Sequence, residues 1–164
     1  MNYKIEEAVN SFLTHYNHKK YWRMKFRLQD KKVNKLVAYY YVYKMKKMET
    51  FNSASLGTRI DGGSFFEGTP IFPHALKGII ISPNARIGKN AKIFQQVTIG
   101  IADFDGDKKD VPIIGNNVTI GAGAKILGAI SVGDNVKIGA NSVITKDVPD
   151  NCTIVGFNNI IKTN

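Results

Sequence analysis

From Ile81 onward an aliphatic residue returns at every sixth position. Ile81, Ile87, Ile93 and Ile99 form one series, and Ile114, Ile120, Ile126, Val132, Ile138 and Ile144 form a second. Four positions after most of these stands a further inward candidate, often small: Ala85, Ala91 and Val97, then Val118, Ala124, Ile130, Val136, Ser142 and Val148. A six-residue period matches neither the turn of an α-helix nor the alternation of a hairpin strand. It predicts a parallel β-helix, in which short strands turn a corner every six residues and three sides make one coil. Each aliphatic then points inward and stacks on its counterpart in the next coil. Glycine and asparagine near the corners tolerate the positive φ that sharp turns need.

The register breaks once. Ile99 and Ile114 are fifteen positions apart, not twelve or eighteen. The interruption over 101–112, IADFDGDKKDVP, is polar and predicts a loop extruded from a corner, a common place for function on a rigid scaffold. Residues 57–81 are glycine-rich and imperfectly periodic, as a first coil would be. From Pro149 the spacing is lost, which predicts a cap over the open end of the β-helix.

Upstream the pattern turns helical, with no Pro or Gly before Gly57. Ile5, Ala8, Val9 and Phe12 share one face of a first segment. Tyr21, Trp22 and Phe26 mark a second, and Val33, Leu36, Val37, Tyr40, Tyr41 and Met45 recur at helical spacing in a third. The expected organisation is a helical segment over 1–51, a β-helix over 52–155 and a tail over 156–164. So short a helical segment buries little by itself and is expected to pack on the β-helix or on a neighbouring subunit.

Charge sharpens that boundary. Residues 1–50 hold 12 Lys and Arg against 4 Asp and Glu, a net of +8, and the remainder holds 11 against 9, a net of +2. The first reading is a solvated basic face over aromatic packing. The second is weak attraction to a membrane surface or an anionic substrate. No nucleic-acid motif accompanies the charge, so nucleic acid is not an expected partner. No apolar run approaches the roughly 20 residues of a membrane span. The opening MNYKIEEAVNSF lacks the apolar core of a signal peptide, and Cys152 is alone. Together these predict a cytoplasmic protein, at most peripheral at the inner membrane face.

Candidate chemistry is sparse. His15 and His18 lie among basic residues with no cysteine or carboxylate cluster, so no metal site is expected. Cys152 reads as a small buried hydrophobe. His74, in FPHALKG, is the one histidine outside the helical segment.

Three stretches carry a resemblance. FPHALKG, IISPNARIGKNAKIFQQVTIG and IGNNVTIGAGAKILGAISVGDNVKIGANSVITKDVPDN resemble the hexapeptide-repeat acyltransferases, within them the serine-acetyltransferase-like branch, which includes many O-acetyltransferases of sugars and polysaccharides. The resemblance covers 57–155. It implies a left-handed β-helix, a homotrimer, and acetyl-CoA as donor in a cleft between adjacent subunits. It also implies His74 as general base. Imidazole suits that task because it titrates near neutral pH and can take the proton of an attacking hydroxyl. The oxyanion that follows needs N–H donors, and an activated thioester requires no metal.

Departures from the branch shape the remaining expectations. Serine acetyltransferases carry an orienting Asp fifteen residues before the histidine, where this chain has Arg59. Asp61 and Glu67 are the nearest acids for that role, with a backbone carbonyl as another route. An Asp immediately before the histidine is replaced by Pro73. An Arg-His pair before the proline matching Pro112 is replaced by Asp110 and Val111. Loss of the Arg fork for a carboxylate shifts the expected acceptor to a sugar or polysaccharide-precursor hydroxyl. Serine is the alternative acceptor, and a non-catalytic scaffold the alternative of another class.

On the donor side the resemblance points to Ala122 and Ala140, with Thr98 and Gly100 toward the thioester; Lys137 and Lys146 are the candidate cations for the CoA phosphates. β-Helix corners need small residues in any case, and exposed lysines usually only solvate. On the acceptor side stand the loop residues Asp103, Asp105 and Asp110. Gln95 joins them if the coil brings it beside His74. The usual Gly-x-Pro-Ala-Arg ending is replaced by GFNNIIK.

Overall fold

The computed structural model describes Val9 and residues 11–31, 33–103, 105 and 107–162. Ile5 and Ala8, half of the predicted first helical face, lie outside the described residues; Val9 and Phe12 are exposed.

The hexads build a left-handed β-helix of three parallel sheets. One holds β1 (Phe65–Phe66), β3 (Arg86–Ile87), β6 (Ile113–Ile114) and β9 (Ser131–Val132). The next holds β4 (Lys92–Ile93), β7 (Thr119–Ile120), β10 (Lys137–Ile138), β12 (Cys152–Val155) and the antiparallel β13 (Asn159–Lys162). The last holds β2 (Ile80–Ile81), β5 (Thr98–Gly100), β8 (Lys125–Leu127) and β11 (Val143–Ile144). Ile81, Ile99, Ile126 and Ile144 pair in register down one sheet. Phe66, Ile87, Ile114 and Val132 do so down another, and Ile93, Ile120, Ile138 and Ile154 down the third. All are buried, as are the nine secondary inward positions from Ala85 to Val148.

Register exposes the length of the extruded loop. Ile81 and Ile99 are 18 positions apart, as are Ile126 and Ile144, whereas Ile99 and Ile126 are 27 apart, so the loop adds nine residues. The coil closes around this excursion without losing a pair. At the far end the spacing shortens: Val148 bridges Val132, and Ile154 pairs with Ile138, each 16 positions on. The column therefore continues through β12 even though hexad spacing ends at Pro149.

Corners take left-handed backbone where the sequence places Asn and Gly. Asn90, Asn117, Asn135 and Asn151 occupy one corner in successive coils with φ of 56–58°. Each of the first three donates its amide N–H to the Oδ1 of the next at 3.0 Å. Asparagine accepts this backbone at low cost and links the coils through its side chain.

Two helices close the first end. α1 (His18–Gln29) starts at Asn17, whose side chain accepts from the Lys20 N–H, and α2 (Lys35–Phe51) starts at Asn34, which accepts from Val37. Tyr21, Trp22, Met24 and Leu28 bury against the first coil, with the Trp22 and Phe66 rings edge to face at 4.7 Å. A polar cluster lies beneath them. Lys25, with no exposed surface, donates to the Gly62 carbonyl at 2.9 Å and to Ser64 Oγ at 3.0 Å. Burial pulls its ammonium down to about 7. Buried Glu49 accepts from Tyr21 and Thr58. Burial, reinforced by the Glu49 carboxylate, holds the Tyr21 phenol well above the usual range.

The inward face of α2 differs from the predicted one. Ala38, Met45 and Glu49 are buried, while Leu36 and Tyr40 are exposed. Tyrosines at 39, 40, 41 and 43 surround the helix, so aromatic spacing alone did not single out a face.

Candidate active site

His74 lies on the irregular turn between Ile71 and β2, at the corner that later carries Gln95. Its Nδ1 is 2.6 Å from Gln95 Oε1. A carbonyl oxygen only accepts, so the neutral ring in this contact carries its proton on Nδ1 and its lone pair on Nε2. Phe94 braces the ring edge to face at 5.8 Å. The coil brings the pair together: the Gln96 N–H donates to the Lys77 carbonyl, setting Gln95 one coil beyond Lys77.

Neither acid proposed to orient His74 hydrogen-bonds to its ring. Asp61 lies 3.7 Å from the Arg59 guanidinium and accepts from the Gly63 N–H, on the turn beside Lys25. Glu67 is exposed just after β1 and, among the described residues, makes no hydrogen bond to the ring. The group that meets Nδ1 is an amide in the next coil.

The small residues expected on the donor side divide into two sets. The Gly123 N–H donates to the Gln95 carbonyl and the Asn141 N–H to the Ala122 carbonyl, so Gln95, Ala122 and Ala140 follow one another along a single corner. Gly121 between the strands is fixed by geometry, since a Cβ there would come within 2.5 Å of the Ala140 nitrogen. Gly100 is different: an added Cβ would meet nothing within 4 Å. Packing within the chain does not demand a glycine there, which fits close approach by a ligand from outside. Thr98 and Gly100 flank Ile99 on the outer surface of β5, next to that corner. Lys137 is exposed on β10 before the Ala140 corner; Lys146 is exposed beyond β11, at the other edge of that face.

The extruded loop leaves from a different corner, between β5 and β6, where Asn84 Nδ2 donates to the Lys108 carbonyl at 2.8 Å. Asp103, Asp105 and Asp110 are exposed and bond within the loop: Asp103 Oδ1 accepts from the Asp105 N–H, and the Asp110 N–H donates to the Asp107 carbonyl. None hydrogen-bonds to His74. Within one chain the β2–β5–β8–β11 face lies between the corner that carries the loop and the corner that carries His74.

Residues absent from the sequence expectation line the histidine's surroundings. A cleft of about 670 Å³ opens between the N-terminal segment and the first coil, lined by Tyr16, Asn17, Lys19, Phe72, His74 and Lys77 among others. The segment before α1 carries no catalytic motif, and only its packing on the first coil reveals this wall.

Comparison with known proteins gives this geometry its setting. The bacterial transferase hexapeptide (six repeats) family matches residues 112–146. The serine acetyltransferase of Staphylococcus xylosus is 40% identical over 126 residues, covering 71% of this chain and 56% of that protein. The chain belongs to the hexapeptide-repeat acyltransferases. Within them it sits on the serine-acetyltransferase-like branch. The crystal structure of Brucella abortus serine acetyltransferase in complex with coenzyme A superposes with a TM-score of 0.63 at 30% identity, over 84% of this chain and 51% of that one. The Neisseria gonorrhoeae serine acetyltransferase in complex with serine superposes with a TM-score of 0.60 at 33% identity, over 84% and 52%. The chain spans about half the length of the curated relatives it matches, from 38% to 56% among the first three.

These relatives overturn the sugar hydroxyl as expected acceptor. Those at about 40% identity are serine acetyltransferases. The expectation gave too much weight to Asp110 and Val111 standing where an Arg-His pair was sought. Cationic groups also occur elsewhere, since Lys19 and Lys77 line the cleft that holds His74.

Proposed function

We propose that this chain is an acetyl-CoA-dependent serine O-acetyltransferase with His74 as general base. The observation that carries the reading is the 2.6 Å contact of His74 Nδ1 with Gln95, which leaves Nε2 as the proton acceptor. Acetyl-CoA supplies an activated thioester. His74 Nε2 takes the serine hydroxyl proton as the oxygen bonds to the acetyl carbon, and returns a proton to the departing thiolate. Lys77 and Lys19 provide positive charge for the serine carboxylate. Ala122 and Ala140 keep the corner next to Gln95 low enough for the donor arm to lie along the coil, ending near Thr98 and Gly100.

The active unit in this reading is a homotrimer. His74 and the loop at 101–112 stand at different corners of one prism, and in the trimer they meet across a subunit boundary. The loop of one subunit would then cover the histidine of the next, with Asp103, Asp105 and Asp110 on the acceptor side.

Release of CoA thiol, followed with serine as acceptor in parent and His74→Ala protein, tests the reading. The substitution is expected to lower kcat roughly 10²–10⁴-fold, the usual contribution of a positioned base. Acetyl-CoA affinity and the trimer mass by light scattering should be unchanged. No serine-dependent release by the parent, or near-parental turnover by folded His74→Ala, would sink it.

A further inference from the structure

Among the described residues, one face of α2 is open to solvent along most of its length, and only its last residue, Phe51, packs on a ring outside the helix, that of His15 at 4.1 Å. Leu36, Tyr39, Tyr40 and Tyr43 keep 83, 63, 52 and 62% of their surface exposed. At helical spacing they form a stripe that continues through Lys47 to exposed Phe51, opposite buried Ala38, Met45 and Glu49. The helix is thus apolar on two sides: one covers the first coil and the other faces water.

Within the two helices the exposed charges have one sign; Asp30, in the connection between them, is an exposed acid. Lys35, Lys44 and Lys47 reach solvent on α2, while Lys46 pairs at 3.1 Å with the helix's only acid, Glu49, which is buried. α1 contains no acid and adds Lys20, Arg23 and Arg27, the last donating to the Tyr41 hydroxyl of α2 at 3.1 Å. Lys44 Nζ lies 5.7 Å from the Tyr40 ring centroid, so cation and aromatic are interleaved.

We infer that this face of α2 rests on an anionic membrane surface. Tyrosine suits the headgroup layer because its ring is apolar and its hydroxyl polar. Leu36 enters the acyl boundary, and the lysines meet lipid phosphates. A second copy docked face to face through α2 fits poorly, since it would oppose lysines with lysines and offers no exposed acid on the helix to pair them. No helix among the described residues is long and apolar enough to cross a membrane, so α2 lies along the surface.

The test is co-sedimentation of the full chain with vesicles of phosphatidylcholine alone or mixed equally with phosphatidylglycerol. Binding is expected only with the anionic vesicles and should weaken with salt. Tyr40→Ser with Tyr43→Ser should reduce it about tenfold, and Lys44→Glu or Lys47→Glu roughly fivefold or more each. These side chains reach solvent, so circular dichroism should show unaltered folding. Equal binding to neutral vesicles, no sedimentation, or undiminished binding by the tyrosine pair would overturn the inference. Self-association abolished by the tyrosine pair without lipid binding would assign the face to a second copy instead. Tighter binding to an oligonucleotide than to vesicles would also defeat it.

Discussion

His74 and Gln95 are 21 residues apart in sequence and 2.6 Å apart at Nδ1 and Oε1, joined by one turn of the coil. An uncharged amide therefore sets the tautomer of the ring. It does so without adding a negative charge next to the imidazole.

Gln95→Ala should lower kcat at least tenfold while leaving the KM for acetyl-CoA within about twofold, because the ring loses its orientation while Ala122 and Ala140, further along the corner, are unchanged. Gln95→Glu keeps an acceptor at Nδ1 and should recover most of the loss. Steady-state kinetics of both variants decide this. Equal damage from both would mean that Gln95 contributes through its size alone.

The corner downstream of Gln95 gives a donor-side prediction. Ala122→Leu places three further heavy atoms where the pantetheine arm is proposed to lie. The KM for acetyl-CoA should rise roughly tenfold or more, with the serine KM little changed. A rise confined to serine would move the donor elsewhere.

Lys25 predicts a stability profile. Its folded pKa of about 7 lies below the ordinary 10.5. Below pH 7 both states are protonated, so the folded state bears the full burial penalty of the charge and Lys25 adds no slope. From about pH 7 to 10.5 the unfolded chain binds the proton and the folded chain does not, so stability rises with pH. Tyr16 and Tyr21 act oppositely: burial raises their phenols above the ordinary 10.0, so the stability they confer is lost as pH climbs past that value. Urea midpoints should therefore peak near pH 10. Lys25→Met should flatten the rise; a persisting slope would assign it to net charge instead.

The asparagine corner predicts an order of stabilities. Asn117→Ala keeps φ near 56° without asparagine's tolerance for it and breaks bonds to Asn90 and Asn135, which should cost about 1–3 kcal/mol. Asn117→Gly relieves the backbone and loses only the side-chain bonds, so it should fall between alanine and the parent. Urea unfolding gives the order. Glycine below alanine would show that unfolded-state entropy outweighs the backbone strain.

The inward columns were legible in the chain because six-residue spacing in a coil is a stacking rule, and Ile81, Ile99, Ile126 and Ile144 obey it. The extruded loop was legible for the same reason, as a break in that spacing. The partner of His74 was not. An orienting acid was sought close in sequence, at Asp61 and Glu67, whereas the fold delivers the neighbour one coil on. Counting 18 residues from Lys77 reaches Gln95, but only the packed turn shows that His74 folds back onto it. The outward side of α2 was also hidden, because four closely spaced tyrosines fit either face.

Ile99 and Ile126 pair across a 27-residue interval as faithfully as Ile126 and Ile144 do across 18. The scaffold thus does not register how long the excursion at 101–112 is, and each doubling of a flexible loop costs only about 0.6 kcal/mol in closure entropy. Selection can lengthen, shorten or rewrite that segment while the columns of isoleucine stay intact. Variation in what the loop contacts is thereby uncoupled from variation in what keeps the prism folded.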